Sequence, residues 1–308
     1  MDGLLLIDKP KGMTSYEVVE RVRKILKEKK VGHTGTLDPA ATGLLLICVG
    51  KATKLTPFLQ DLDKTYEGEL IFGVTTTSLD EEGQILERKD ASSLNKHQVE
   101  ELFNRFKGKI KQIPPMFSAI HWQGERLYRL AREGLEVKRP PREVHIYELQ
   151  LLNFLPGPHP RAEFKLSCSR GTYVRSLCGD IGKASGYGGY QASLRRIRVG
   201  PFNVSRAKRL EELEGEDKDK IRKFLYPLCE ALPHFPLVEV KKEAEKVIKW
   251  GRPLYLAHLE KFPLELKRRD RVRLCNEQGQ LLAIATCLQD GTHFFKDRVG
   301  FKYLRVLI

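Results

Sequence analysis

Asp38 lies in the run Gly32-His33-Thr34-Gly35-Thr36-Leu37-Asp38-Pro39, which continues to Thr42-Gly43 and an apolar segment, Leu44 to Val49. The glycines permit turns and close backbone approach, and Pro39 narrows the conformations open to the aspartate before it. A loop built this way can hold a reactive carboxylate still, and carboxylates so held serve as nucleophiles or general bases. Turn aspartates also accept backbone hydrogen bonds as a matter of course, so residue types alone leave both roles open.

Other chemistry-bearing residues form no comparable cluster. The six cysteines, at 48, 168, 178, 229, 275 and 287, contain no C-x-x-C pair, which indicates neither a zinc site nor a disulfide framework and predicts reduced, buried thiols. The histidines outside the Asp38 loop lack ligand spacing. Gly50-Lys51-Ala52-Thr53 imitates a phosphate loop, but Ala52 stands at the hydroxyl position and Leu45 where the upstream glycine belongs. No dinucleotide-binding glycine turn follows a strand, so no cofactor is implied.

The elements that must carry the loop are legible by period. Gly3 to Asp8 reads as a buried strand, and Thr14 with Glu17 forms a capping box ahead of Val18, Val19, Val22, Ile25 and Leu26 at helical spacing. Alternation at Ala162, Phe164, Leu166 and Cys168 predicts a half-buried strand. Val174, Leu177, Cys178 and Ile181 then trace a helix from about Thr172 that puts Arg175 in its first turn. Further strands are predicted at Tyr66 to Phe72, Val144 to Phe154 and Tyr190 to Val199, with a capped helix from Asn95 to Phe106. Without a strict βαβ rhythm, the pattern predicts an α+β fold on a mixed sheet. Glu211 to Lys220 reads as a solvated charged run, and Pro233-His234-Phe235-Pro236 as the boundary of a C-terminal unit. That unit has a helix at Lys241 to Trp250, a hairpin across Asn276 to Gly279 and a last strand at Tyr303 to Ile308.

At 308 residues, 41% apolar and 31% charged, the chain suits a soluble globular protein of a large domain and a small one. Its net charge of +14 favours a polyanionic partner. Apolar runs are far shorter than the roughly 20 residues a membrane-spanning helix needs. The N-terminal run lacks the flanking positive charge of a signal peptide. A cytoplasmic protein is expected.

The loop resembles the G-H-T-G-x-L-D-P motif of the TruB family of tRNA pseudouridine synthases. The resemblance extends in order through Leu6 to Gly12, Lys64-Thr65-Tyr66, Pro114-Pro115, Gly124 to Tyr128, Gly171 to Ser176 and Leu194-Arg195-Arg196, and covers most of the chain to about residue 235. It implies a catalytic domain over 1–235, with an RNA-clasping insertion at about 118–142, and a small, mostly β domain over 236–308 similar in size and place to a PUA RNA-binding domain. The implied activity is isomerisation of uridine at position 55, in the tRNA T loop, by a monomer needing no protein partner, cofactor or metal. A guide-RNA-dependent (dyskerin-type) synthase and a non-catalytic tRNA chaperone are the alternatives.

The resemblance also assigns roles. Asp38 is the essential carboxylate; Arg175 is its cationic partner, holding its pKa low and its orientation fixed; Tyr66 stacks on the target base. Leu194 closes the pocket, His33 fills the space of an extruded base, and Lys9-Pro10 supports the loop. Arg126, Arg129 and Arg132 in the insertion, with Arg195 and Arg196 in the basic stretch Gln191 to Leu210, are the implied RNA contacts. Phe117 and His121 replace a common tyrosine and lysine, and Gly189-Tyr190 a common alanine-histidine pair, which touches RNA contacts and leaves the catalytic set intact. Groups that meet phosphates release counterions, so RNA affinity is expected to fall steeply as salt is raised; a flat salt profile in a filter-binding titration removes the basic stretches from the interface.

Overall fold

The computed structural model describes residues 1–116, 118, 121–122, 124–135, 137–293 and 298–308, without the side chains of 121, 122, 126, 128, 131, 132 and 293. The leucine-rich N terminus forms β1 (Gly3–Lys9). Next comes α1 (Ser15–Leu26), whose Thr14 and Glu17 make both halves of the capping box. The short β2 (Val31–His33) leads into the Asp38 loop, and β3 (Thr42–Val49) leaves it. β1 and β3 pair antiparallel from Gly3 opposite Val49 to Lys9 opposite Gly43.

β1 and β3 read as continuous apolar runs because both of their faces are covered. Leu5, Ile7, Leu45 and Ile47 pack under Val18, Val19, Val22 and Leu26 of α1, while Leu4, Leu6, Leu44 and Leu46 pack the other way, against the C-terminal sheet. Each fully buried aliphatic side chain contributes on the order of 2 kcal/mol. The charged run after Arg209 is not wholly solvated: Leu213 is fully buried with Leu210 and Ile221 under α1.

The next elements are β4 (Lys64–Phe72), a two-stranded ribbon of β5 (Val74–Thr76) and β6 (Ile85–Arg88), and α2 (Lys96–Arg105), capped by Asn95 and Gln98. After them come β7 (Gly108–Gln112), β8 (Arg142–Leu155) and β9 (Arg161–Cys168). α3 (Val174–Ser185) and β10 (Gly189–Val199) complete this half. The main sheet runs β1-β3-β10-β4-β9-β8-β7, and β2 joins it on β3. Every pairing along it is antiparallel except β10 with β3, so the predicted mixed sheet is present.

The second sheet is built from β11 (Leu237–Val240), β12 (Leu259–Lys261), β13 (Arg271–Cys275), β14 (Leu281–Cys287) and β15 (Phe301–Val306), in the order β12-β11-β13-β14-β15. α4 (Lys242–Lys249) packs on it through Ala244 and Ile248. Leu281, Ile284 and Leu307 share one apolar core with the outer face of β1 and β3. Phe235 meets Phe58 edge to face at 5.9 Å within that core. Among the described residues no helix is long and apolar enough to cross a membrane.

Two glycines let backbones meet where the site is built. Gly182 of α3 sits so close to the start of β10 that a Cβ would fall 2.2 Å from the Gly189 nitrogen, which seats the helix bearing Arg175 directly on the sheet. Gly43, at φ +99°, lies against the backbone of Arg196, where a Cβ would stand 2.3 Å from its carbonyl oxygen. Gly43→Ala is therefore expected to cost about 2–4 kcal/mol, from strain and overpacking together, measured by urea unfolding. Wild-type stability for that variant removes the close approach.

Candidate active site

Three buried polar side chains hold the Asp38 loop by its backbone. The Ser15 hydroxyl, at the start of α1, accepts from the Leu37 N–H at 2.8 Å and donates to the Leu37 carbonyl at 3.1 Å. Lys9 is fully buried, and its ammonium donates to the carbonyls of Pro10, Met13 and Pro39 at 3.0, 2.6 and 3.2 Å. Burial pulls the Lys9 pKa down to about 8, against the charge of Asp38, which raises it. Arg196 donates to the carbonyls of Leu44, Gly35 and Thr36 at 2.7, 3.1 and 3.5 Å. The expected supporting role of Lys9-Pro10 thus has a mechanism, with the Gly12 N–H to Pro39 carbonyl bond of 2.9 Å closing the same turn.

Arg196, expected to contact RNA, is a correction. It is buried, with its guanidinium turned inward on the loop carbonyls, because the parallel pairing of Arg196 with Gly43 aims it under Gly35. Arg195, half-exposed, is clamped by Asp8 through two bonds of 3.0 and 2.7 Å, so much of its charge is neutralised before any RNA arrives. Arg129 is exposed, whereas the side chains of Arg126 and Arg132 lie outside the described residues, as do Phe117 and the His121 side chain.

Asp38 and Arg175 do meet: Oδ2 of the aspartate lies 3.5 Å from Nη2 of the arginine. Arg175 is buried in the first turn of α3, where Gln112 fixes the helix entry by a reciprocal pair of bonds to the Tyr173 backbone, of 2.8 and 3.0 Å. Its Nη1 is bound more closely, at 3.0 Å, to Asp80, a carboxylate that sequence reasoning missed. Asp80 is almost fully buried in the turn between β5 and β6; its side chain accepts from the Ser78 hydroxyl and, at 3.2 Å, from the Glu82 N–H. Leu79, at φ +64°, bends that turn, and the Gln191 N–H to Leu79 carbonyl bond of 3.0 Å ties it to β10. The Lys11–Glu81 ion pair, at 2.5 Å, ties it to the turn after β1.

Burial first, and then an Arg175 shared with Asp80, turn Asp38 away from the expected low pKa. Burial raises it, Arg175 lowers it, Asp80 raises it again and Lys9 lowers it, and the net direction is upward. Glu82, at the rim, is pushed up for the same reasons: burial first, then the charges of Asp80 and Asp38.

Tyr66, Leu194, Leu37 and Ala41 belong to one apolar cluster beside this carboxylate. Tyr66 is buried in β4 between Leu166 and Arg196, and burial raises its phenol pKa while the charge of Arg196 and a hydrogen bond to it pull the other way. His33 is half-buried at the end of β2 and accepts from the Gly35 N–H at 3.3 Å; burial and then Arg196 lower its pKa, leaving a neutral ring. A groove of about 510 Å³ lies next to this cluster, lined by Ala40, Thr42, Phe164 and Leu194 together with Lys11, Arg195 and the carboxylates of Glu67, Glu69 and Glu163; Asp38 and Tyr66 are outside its lining.

The arrangement can present one ionised carboxylate, made basic by its surroundings, to a flat substrate lying on Tyr66 and Leu194. Sequence profiles of two domains match the chain: TruB family pseudouridylate synthase (N-terminal domain) over residues 23–174 and tRNA pseudouridylate synthase B C-terminal domain over 175–233. The tRNA pseudouridine synthase B of Pelotomaculum thermopropionicum is 42% identical over all of this chain and 97% of its own. That of Moorella thermoacetica is 43% identical over 92% of this chain and 93% of its own. Among solved structures, an H/ACA ribonucleoprotein bound to a substrate RNA containing 2′-deoxyuridine superposes with a TM-score of 0.76 at 25% identity, covering 99% of this chain and 85% of that one. A Cbf5-Nop10-Gar1 complex gives 0.75 at 26%, with the same coverage. A glycine-punctuated aspartate loop, a buried arginine facing it and full-length relatives of this kind together make the chain a member of the TruB family of pseudouridine synthases.

Proposed function

We propose that this enzyme converts uridine to pseudouridine at position 55 in the T loop of tRNA, with Asp38 reacting on an everted base. The observation that carries the reading is Asp38 itself: a carboxylate fixed against Arg175, made basic by burial, beside an apolar bed of Tyr66 and Leu194, in a chain 42% identical throughout to a protein named tRNA pseudouridine synthase B.

The reaction breaks the N1 to C1′ bond, turns the uracil within its enclosure and joins C5 to C1′; no atoms enter or leave. Water must be kept out, so the second carboxylate that an inverting glycosidase uses to activate it has no task here. Ionised Asp38 either adds to C1′ or takes the 2′ hydrogen, and both routes draw on the same raised basicity. Arg175 orients that carboxylate, and Asp80 orients Arg175. Tyr66 offers a stacking face, worth roughly 1–3 kcal/mol per base, that tolerates a ring turning over. The neutral ring of His33 takes the place of the extruded base, offsetting part of the few kcal/mol that extrusion costs.

In this reading residues 1–235 form the catalytic domain, the insertion at about 118–142 with Arg126, Arg129 and Arg132 clasps the T arm, and 236–308 form a PUA-like RNA-binding domain. The enzyme acts as a cytoplasmic monomer on tRNA alone. The fold shared with H/ACA ribonucleoproteins supports a guide-RNA-dependent reading as the second choice. Turnover on a bare T-arm transcript separates the two.

With that transcript, Asp38→Ala is expected to lower pseudouridine formation by about 10⁴-fold or more while RNA affinity stays within about tenfold. Equal product from both proteins rejects the proposal. Asp38 must be ionised to react and its pKa is raised, so turnover should fall with acidification at a pH above the ordinary carboxylate value of 3.8. Asp80→Asn removes a charge that raises this pKa, so the acid limb should move to lower pH, with turnover reduced about 100-fold by the loosened Arg175. An unmoved limb excludes the coupling.

A further inference from the structure

Two cysteines unused by this chemistry face each other across the junction of the two sheets. Cys229 lies in a single 3-10 turn, Leu228–Glu230, and Cys275 is the last residue of β13; their sulfurs are 2.7 Å apart although 46 residues separate them in sequence. Cys275 is buried in the apolar core shared by β1, β3 and the second sheet, while Cys229 is half-buried at its margin. The Arg273 guanidinium is pinned beside Cys229, donating through Nη1 to the Cys229 carbonyl and through Nε to the Phe235 carbonyl at 2.8 Å.

We propose that Cys229 and Cys275 are a reversible thiol–disulfide site, oxidised by a low-molecular-weight disulfide of the glutathione type. The two thiols divide the work. Cys229 is the more exposed of the two and lies beside the Arg273 guanidinium; its contact with Cys275 and then the charge of Arg273 hold its thiol below the ordinary range, against burial and Glu230, so it is the nucleophile. Cys275 is held well above, by the same contact and by burial, and keeps its proton. The other cysteines are buried, and burial pushes the thiols of Cys48 and Cys168 up to about 12. Cys178 and Cys287 are raised too.

In the exchange, the Cys229 thiolate attacks one sulfur of the small disulfide, joins it and expels the other half as a thiolate. The expelled small thiolate takes the Cys275 proton, and the Cys275 sulfur then displaces the small thiol still bonded to Cys229. Two protein thiols are oxidised, and one small disulfide is reduced to two thiols. The product bolts the 228–230 turn to the second sheet. Disulfides in reducing compartments are usually transient and regulatory, and this one would form only under oxidative load.

The full-length protein should be incubated with oxidised glutathione, alkylated under native conditions and mapped without reduction. The expected result is one peptide linking Cys229 to Cys275, a mass lower by two hydrogens, a melting temperature raised by about 5 °C, and reversal of all three by dithiothreitol. Cys275→Ser should trap glutathione on Cys229, and Cys229→Ser should leave Cys275 unoxidised. Full alkylation of Cys229 with no linked peptide after oxidation would overturn the proposal, as would a glutathione adduct that persists on Cys229 of the wild-type protein.

Discussion

One buried guanidinium serves two carboxylates, and that ratio together with burial sets the basicity of the site. A single positive charge cannot neutralise both Asp38 and Asp80 in a poorly solvated pocket. Asp80, buried and 3.0 Å away, has the closer hold. Asp38, at 3.5 Å and with part of its side chain open, is left orientated and incompletely compensated. Burial makes Asp38 more basic, and an arginine shared with Asp80 offsets only part of that effect.

The same logic of positioning without contact applies to the loop. Lys9 and Arg196 are cations that point at carbonyls, where their charge is solvated by the chain itself. Burying such groups costs stability unless every donor is matched, and here the carbonyls exposed by a glycine-rich turn supply the match. The loop is therefore not floppy for being rich in glycine: Gly35 supplies a carbonyl to Arg196, and Gly43 allows the strand that carries Arg196 to come close enough to use it.

Local features were legible in the sequence because they are decided locally. The Thr14–Glu17 box, the alternation at 162–168 and the helical stripe from Val174 each stood in a short window and recur in the structure within a residue or two. The Asp38–Arg175 pairing was legible through resemblance alone, since the two positions are 137 apart in the sequence. Asp80 was not. It sits among Thr77, Ser78, Glu81, Glu82 and Gly83, a composition that reads as a solvated turn, and the bridge of Asp80 itself with Gln191 of β10 draws it inward. Arg196 was misjudged for a related reason: a run of arginines with no acidic neighbour looks like a surface, yet strand alternation sends alternate members inward.

The apolar core that joins the outer face of β1 and β3 to Leu281, Ile284 and Leu307 has a mechanical consequence. Prising the two sheets apart would expose that shared surface to water, a cost that opposes their separation. A ligand that spanned both would then meet two surfaces already joined, and little ordering entropy would be spent on bringing them together.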